Sequence, residues 1–534
     1  MYYQSNKRSF TVKHVCGLLM ASLLLILVTG CTKDFKSINT NSSTLSSVGP
    51  NEYPYMFSYA LENPTLSPDN FEIGEGTIAS VYSEFFSQAA TSFPTDRYVV
   101  VQAWMPACWN PVYISAVPQL KTIMSNTDTA SAENALANIW WVWMFHRVTD
   151  YFGPVPYFQA GSGASSVAYT PQDSIYYDFF KKLTSAVAVL GNHHGEHPFG
   201  TYDLVYGSTT DPASAWIKFA NTLHLRLAMR LSKVNPTVAQ AEAEKAAAGG
   251  TMDNISDDAY MPKNTKYYNE YNGLAVTAGW DDLRMSAAMQ SILQGYNDPR
   301  LPVYWQPAVA TGAYSGVRNG LYASEKIIPI NSRTYNSNLG TLWTVWSPSV
   351  QNWVTNYNYP QGIIHAAEAF FLKAEGALNG WNMGGGTAQS YYQQGIQTSM
   401  AQWGITDQSA ITNYIQNVDS PVALNDYFSS PAVNNYPVAW SADPVMERKQ
   451  VAQQKWLGLF PDGMEAWSEV RRSGYPELYH VIHSDNPDIS PSQFIRRMTF
   501  LATEQQTNSA AVANAVQLLG GPDKVTTPLW WDKN

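Results

Sequence analysis

The chain has 534 residues, of which 45% are hydrophobic and 14% charged, with 32 basic against 42 acidic side chains and a net charge of −10. That acidity argues against nucleic acid and bare anionic membrane as partners, and the length is ample for burying a large core. The aromatic share of 13%, including 18 Trp and 33 Tyr, suits stacking on sugars or other flat apolar ligand faces.

At the N-terminus, Lys7, Arg8 and Lys13 form a basic region ahead of an apolar run over residues 15–28, the pattern of a secretory signal. At about 14 residues the run is too short to span a bilayer comfortably. Leu27, Val28, Thr29, Gly30 and Cys31 resemble a bacterial lipobox, so residues 1–30 read as a lipoprotein signal peptide. Cys31 then becomes the lipidated first residue, held to a membrane by acyl chains. Loss of the signal removes three basic residues and no acidic one, leaving 29 basic against 42 acidic and a net charge of −13. Of the three cysteines, Cys16 leaves with the signal and Cys31 takes lipid, so Cys108 alone remains and no intramolecular disulfide can form. Residues 31–50, rich in Ser, Thr and Asn, read as a tether, and residues 51–534 as a single folded domain.

Helical periodicity recurs at 78–88, 110–125, 130–148, 174–190, 214–234, 239–248, 366–378, 388–403 and 444–460, the last with a partner at 464–471. In the fifth of these, Phe219, Leu223, Leu227 and Leu231 line one face while Arg226 and Arg230 lie on another. The Ala-rich helix 239–248 stops at Gly249 and Gly250, a C-terminal signature. Strand alternation is scarce. Residues 253–360 are dense in Asn, Tyr, Gly, Pro and Trp and read as long loops laid over a helical body. No fixed 34-residue repeat is defensible, although helical hairpins recur.

The stretch QKWLGLFPDGMEAWSEVRRSGYPEL, residues 454–478, holds Glu465, Glu469, Arg471 and Arg472, which could supply an acid, a base and an anion clamp. Its periodicity instead predicts a helical hairpin, with Trp456, Leu459 and Phe460 on one apolar face, a turn at 461–463, and Met464, Trp467 and Val470 on the next helix. On that reading the charges pair with one another or with neighbouring helices.

Five segments in order, ENALANIWWVWMFHRVTDYFGPVPYFQA, DLVYGSTTDPASAWIKFANTLHLRLAMRLSK, NDPRLPVYWQPA, IIHAAEAFFLKAEGALNGW and the stretch just described, resemble the successive signature blocks of the SusD/RagB-like nutrient-binding outer-membrane lipoproteins. The closing LATEQQTN and TPLWWD fit as well. The resemblance implies a mostly α fold of tetratricopeptide-like helical hairpins under a large loop-rich ligand-binding region. It also implies a cell-surface lipoprotein that acts as the lid of a SusC-like TonB-dependent transporter and captures oligosaccharides or, in some branches, peptides. No cofactor or metal is expected. Acidic residues follow the lipidated cysteine in surface-exported members, whereas Thr32-Lys33-Asp34-Phe35 here offers one acid beside a lysine.

Catalytic signatures such as HExxH, GxSxG, a Walker loop or CxxC do not occur. His193, His194 and His197 form the best metal-like string, but Gly195 and Pro198 oppose the helix that would align the imidazoles, so a solvated loop is expected. Asp257-Asp258 and Asp281-Asp282 could tempt a glycosidase assignment, yet adjacent residues point apart and such enzymes need opposed carboxyls. We expect Asp257-Asp258 in a loop and Trp280-Asp281-Asp282 at a helix start. Sugar recognition needs flat aromatic faces with amides at their edges. LWTVWSPSVQNWVTNYNYP supplies that mix without a charge, through Trp343, Trp346, Asn352, Trp353 and Tyr357, with Asn356 and Tyr359 nearby. Tyr304, beside Trp305, and Trp104, near Asp96 and Arg97, complete the expected ligand-binding set; Trp109 has core spacing with Tyr113. The sequence thus reads as a non-catalytic, surface-anchored glycan-binding protein, with a RagB-like peptide receptor or a lipid-anchored glycoside hydrolase as alternatives.

Overall fold

Among the described residues, eight helices packed in succession carry the body. They are α1 (Ala132–Phe152), α2 (Gln172–Leu190), α3 (Pro212–Arg230), α4 (Pro236–Ala248), α5 (Ala366–Leu378), α6 (Ala388–Gln402), α7 (Pro444–Gly458) and α8 (Gly463–Ser473). Each predicted helix from 130 onward is present within a few residues of its expected ends. Local chemistry starts them where they start. Asp211 and Asn235 accept backbone N–H bonds from Ser214 and Val238 ahead of Pro212 and Pro236, the Asx-cap-then-Pro order that suits a helix N-terminus. Asp462 caps α8 through the Glu465 N–H. The helices then pack in succession, α1 on α2, α2 on α3, α3 on α4 and α5, and α5 on α6 and α7. The structure, a computed structural model, describes residues 48–164 and 166–534; the expected signal segment and lipidated Cys31 lie outside them. Residues Pro54–Asn534 cluster as one compact unit.

The core is aromatic and ionic together. Trp140, Trp216, Trp305, Trp456, Trp467 and Trp531 are fully buried, and so are Arg226, Arg230 and Arg471. Arg226 and Arg230 are therefore as deep as the leucines on the other face of α3. Arg226 pairs with Glu368 of α5 at 2.5 Å. Arg230 meets Glu465 at 2.6 Å, Glu469, and Asp150 of α1 at 3.3 Å. Arg472 is shared by Glu469 and Glu375, each at 2.7 Å. Buried ion pairs of this kind add little net stability over an apolar core, but leaving one partner uncompensated is costly, so the lattice holds the helices in one register. Trp456 and Trp467 donate indole N–H bonds to the carbonyls of Ser83 (2.8 Å) and Ile495 (3.1 Å), and Arg471 stacks on Trp467 at 3.6 Å. The stretch 454–478 is thus a core hairpin whose charges are paired inside.

The helix expected over 78–88 is cut short. Ala79–Tyr82 is helical, Glu84 adopts φ +58°, and Phe86–Gln88 becomes β1. Tertiary pairing overrides propensity here, because β1 lies antiparallel to β3 (Leu283–Met285). Two more two-stranded sheets join β2 (Ala259–Met261) to β6 (Gln361–Ile364), and β4 (Thr344–Ser347) to β5 (Asn352–Thr355). The region 253–360 is accordingly loop-rich but carries helices Gly273–Gly279 and Ala287–Gly295 as well as the β4–β5 hairpin. Trp280-Asp281-Asp282 closes the first of those helices rather than opening one: Trp280 is its C-cap, and Asp281 turns at φ +73° into β3. Asp257 sits in a capping box with Asn254, and Asp258 accepts the Ala366 N–H at 2.7 Å at the start of α5.

Candidate ligand-binding surface

The β4–β5 hairpin sets the first part of the surface. Its register places Trp346 opposite Trp353, with ring centroids 5.2 Å apart and planes at 67°, a favourable cross-strand aromatic pair. Trp353 is buried except at an edge. Its indole N–H donates to Asp281 at 2.6 Å, and the Arg284 guanidinium, itself paired with Asp281, lies 5.8 Å from the ring. Trp346 is left half-exposed above this pin. Asn352 is exposed and caps its own strand, its side-chain oxygen accepting the Trp353 N–H at 2.9 Å. Tyr357, in the following loop, is exposed and lies 4.6 Å from Tyr271. Trp280, before Asp281, is also exposed.

A continuous frame runs from Asp282 to a second aromatic group. Ala89, just beyond β1, donates its N–H to the Asp282 carbonyl at 2.7 Å. Lys326 bonds the Ala90 carbonyl at 3.2 Å and Asp96 at 2.9 Å, which fixes the 89–97 loop against the short helix Ala323–Lys326. Phe93 of this loop meets Trp104, half-buried in the following turn Gln102–Trp104, edge to face at 5.2 Å. Arg97 bonds Asp485 at 2.7 Å and the Leu321 carbonyl at 3.0 Å, and lies 5.8 Å from the exposed Tyr322 ring. Tyr322 stacks on His483 at 4.1 Å, and His483 is held by Glu325 at 3.1 Å. Aromatic faces edged by guanidinium, amide and carboxylate groups are what a polyhydroxylated ligand needs.

Three expected residues offer no face to this surface: Trp353 is spent as the buried prop of Trp346, and Tyr304 and Trp343 lie deeper still. Tyr304 is fully buried, stacked on Phe460 at 4.3 Å with its hydroxyl donating to the Leu457 carbonyl at 3.1 Å. Trp343 is sealed between Trp403, Tyr359 and Phe460. Both rings are packing residues that fasten the loop region to the body, since a large aromatic buries more area inward than a ligand offers outward. Trp109 is buried too, stacked on Tyr113 at 4.2 Å. Phe93, Tyr322, Trp280 and His483 are the residues sequence reasoning missed. Tyr322 lies near the expected loops, but the Phe93 pairing and the His483 stack depend on contacts far apart in the chain.

Beneath the hairpin lies a pair of acids. Burial, then the neighbouring Asp282 carboxyl, pushes Glu72 up to about 8, and burial raises Asp282 as well. Asp282 also meets Arg333 at 3.2 Å, so Asp281 and Asp282 are both engaged structurally. A small cavity of about 40 Å³ sits where the loops meet the body, lined among others by Trp143, Trp343, Gln361, His365, Gln402 and Trp403. Side-chain N or O atoms of Trp143, Gln361, Gln402 and Trp403 have no hydrogen-bond partner among the described residues, while His365 Nδ1 lies 3.3 Å from the Asp258 carboxylate. Such a space suits a few waters bridging donors and acceptors and is too small for a sugar ring. In the histidine string, His193 bonds Glu196 at 2.8 Å and His194 bonds Asp211 at 2.8 Å on a surface turn; among the described residues no His, Cys, Asp and Glu cluster is placed to hold a metal ion.

A family model described as SusD-like, the SusD and RagB outer membrane lipoproteins, matches residues 52–532. The chain belongs to the SusD-like family. Its fold is that of solved relatives. A chitin-binding SusD homolog from Flavobacterium johnsoniae is 33% identical over 91% of this chain and 99% of its own, with a TM-score of 0.81. SusD-like proteins from Bacteroides thetaiotaomicron and Bacteroides ovatus are each 28% identical, covering 90% and 91% of this chain and 99% and 100% of theirs, at TM-scores of 0.78 and 0.79. No curated protein sequence matches the chain. Among the described residues of this SusD-like protein, no helix is long and apolar enough to cross a membrane.

Proposed function

We propose that this SusD-like protein is a non-catalytic lipoprotein, anchored through Cys31 and facing the cell surface, that captures an oligosaccharide and delivers it to a SusC-like TonB-dependent transporter. The observation that supports the reading is the half-exposed Trp346, propped on Trp353, with the exposed Tyr357 in the following loop and the Trp104–Phe93 and Tyr322–His483 pairs on the loops beyond β1. Each stacked sugar face contributes on the order of 1 kcal/mol, with edge hydrogen bonds adding a similar amount, so binding is weak enough for release to a transporter. Asp281 and Asp282 are occupied by Trp353, Arg284 and Arg333, which favours a structural over a hydrolytic role for them. The chitin-binding relative makes N-acetylglucosamine oligomers the first probes.

Calorimetry against those oligomers, a wider neutral glycan panel and basic peptides tests the reading. A saccharide should bind, and Trp346→Ala should weaken it about tenfold with the melting temperature retained. Peptide binding alone, or steady release of new reducing ends that Asp282→Asn abolishes, would overturn it.

A further inference from the structure

A second aromatic cleft lies apart from the hairpin. Tyr55 and Tyr59 stand four residues apart on the helix Tyr53–Glu62, which puts them on one helical face. That face is open: Tyr55 is 60% and Tyr59 50% exposed, and the cleft is also lined by Tyr202, 37% exposed, and Tyr267, 65% exposed. Tyr55 and Tyr202 are 4.5 Å apart by ring centroids. The cleft holds about 720 Å³, within the range of small-molecule sites.

Its polar groups select for the ligand. The Asn70 and Asn269 amides make no hydrogen bond among the described residues. Lys263 is paired with Glu62 at 2.7 Å and bonded to Thr65 at 2.9 Å, while Glu270 accepts the neutral Asn264 amide and keeps its charge. Four open phenol faces with unspent amides match a hydroxyl-rich chain, and the Glu270 carboxylate can accept from sugar hydroxyls while repelling an acidic ligand. The cleft is also joined to the surface described above. Tyr268 is anchored to Asp69 at 2.7 Å, its ring lies 5.6 Å from Tyr271, and Tyr271 lies 4.6 Å from Tyr357.

We infer that the cleft of Tyr55, Tyr59, Tyr202 and Tyr267 is a second saccharide subsite, linked through Tyr271 and Tyr357 to the tryptophan hairpin, so that one long neutral glycan engages both. The inference rests on the glycan-binding reading and adds a dependence on chain length. A ligand spanning two weak subsites gains affinity without any new contact, whereas a short one occupies a single subsite.

Calorimetry of the mature protein with the trimer and hexamer of N-acetylglucosamine tests it. Tyr55→Ala/Tyr267→Ala should weaken the hexamer about tenfold and leave the trimer unchanged, whereas Trp346→Ala should weaken both. Tyr55→Phe/Tyr267→Phe keeps the rings and should bind the hexamer as the unmodified protein does, which guards against misreading a folding defect. Equal hexamer affinity in the double-alanine variant, with the Trp346→Ala loss intact, overturns the cleft and leaves the hairpin reading standing. Trimer binding lost in the double-alanine variant and indifferent to Trp346→Ala overturns the hairpin reading and keeps the cleft. Absence of any saccharide binding overturns both.

Discussion

Glu84 shows how one side chain can set a pH response. It turns the chain at φ +58° between a helix and β1, is buried, and accepts an Asn319 amide bond at 3.0 Å on one oxygen. Its other oxygen has no partner among the described residues. Burial pushes the carboxyl up to about 7, against the pull of Asn319 and Arg318. Because the folded pKa lies above the unfolded one, near 4.3, the folded state holds a proton that the unfolded chain gives up. Stability from this group is complete below about pH 4 and is lost as pH rises through 7. Glu84→Gln should therefore raise the melting temperature at pH 8 by ~1–3 °C and have little effect at pH 4.5; thermal scans at the two pH values check this. The same scale explains what residue types in the sequence do and do not reveal. Trp346, Tyr357 and Trp104 are accessible and Tyr304 and Trp343 are not, yet all five look alike as aromatics in irregular stretches rich in Pro, Asn and Gln. Type records stacking capacity; depth is decided by Phe460 and Trp403, more than 50 residues away in sequence.

At the scale of elements, the helical hairpins were legible because each carries its own period and cap: Asp211, Asn235 and Asp462 lie directly ahead of helices whose apolar spacing is regular. The β4–β5 hairpin was not, because its strands of four residues are too short for alternation to register, and its turn carries Pro348 and serines that read equally as loop. Its outer face even exposes Val345 and Val354, against the usual pattern. The α7–α8 hairpin depends on its tryptophans for packing. Trp467→Ala should cost about 3–5 kcal/mol, read as a lower midpoint in urea unfolding, with saccharide affinity of the folded fraction unchanged. A loss of affinity at full stability would return the 454–478 stretch to the ligand site.

Across the whole molecule, attachment and folding are separable. The compact unit begins at Pro54, well after Cys31, the proposed site of lipidation, and two or more acyl chains suffice for stable anchoring. Cys31→Ser should move the protein from the membrane fraction to the soluble fraction while its melting temperature and ligand affinity stay the same; fractionation with an immunoblot reads the first, and calorimetry the second. The sequence blocks that resembled the family also form the buried ionic lattice of Arg226, Arg230, Glu465, Glu469 and Arg472, so family and fold were readable from the same residues. The convergence of Phe93, Trp104, Tyr322 and His483 was not, since it is made by loops meeting at long range. The tie between Trp353 and Asp281 has a further consequence for inheritance. Together with the Gln306 amide bond to the Thr344 carbonyl, it fixes the base of the hairpin to the body while the turn over 348–351 lies exposed. The hairpin proposed to meet the ligand is thus a cassette of about a dozen residues on a fixed socket. Substitutions and insertions in that turn can accumulate without disturbing the charges below, and a lineage can change its diet without having to solve its fold again.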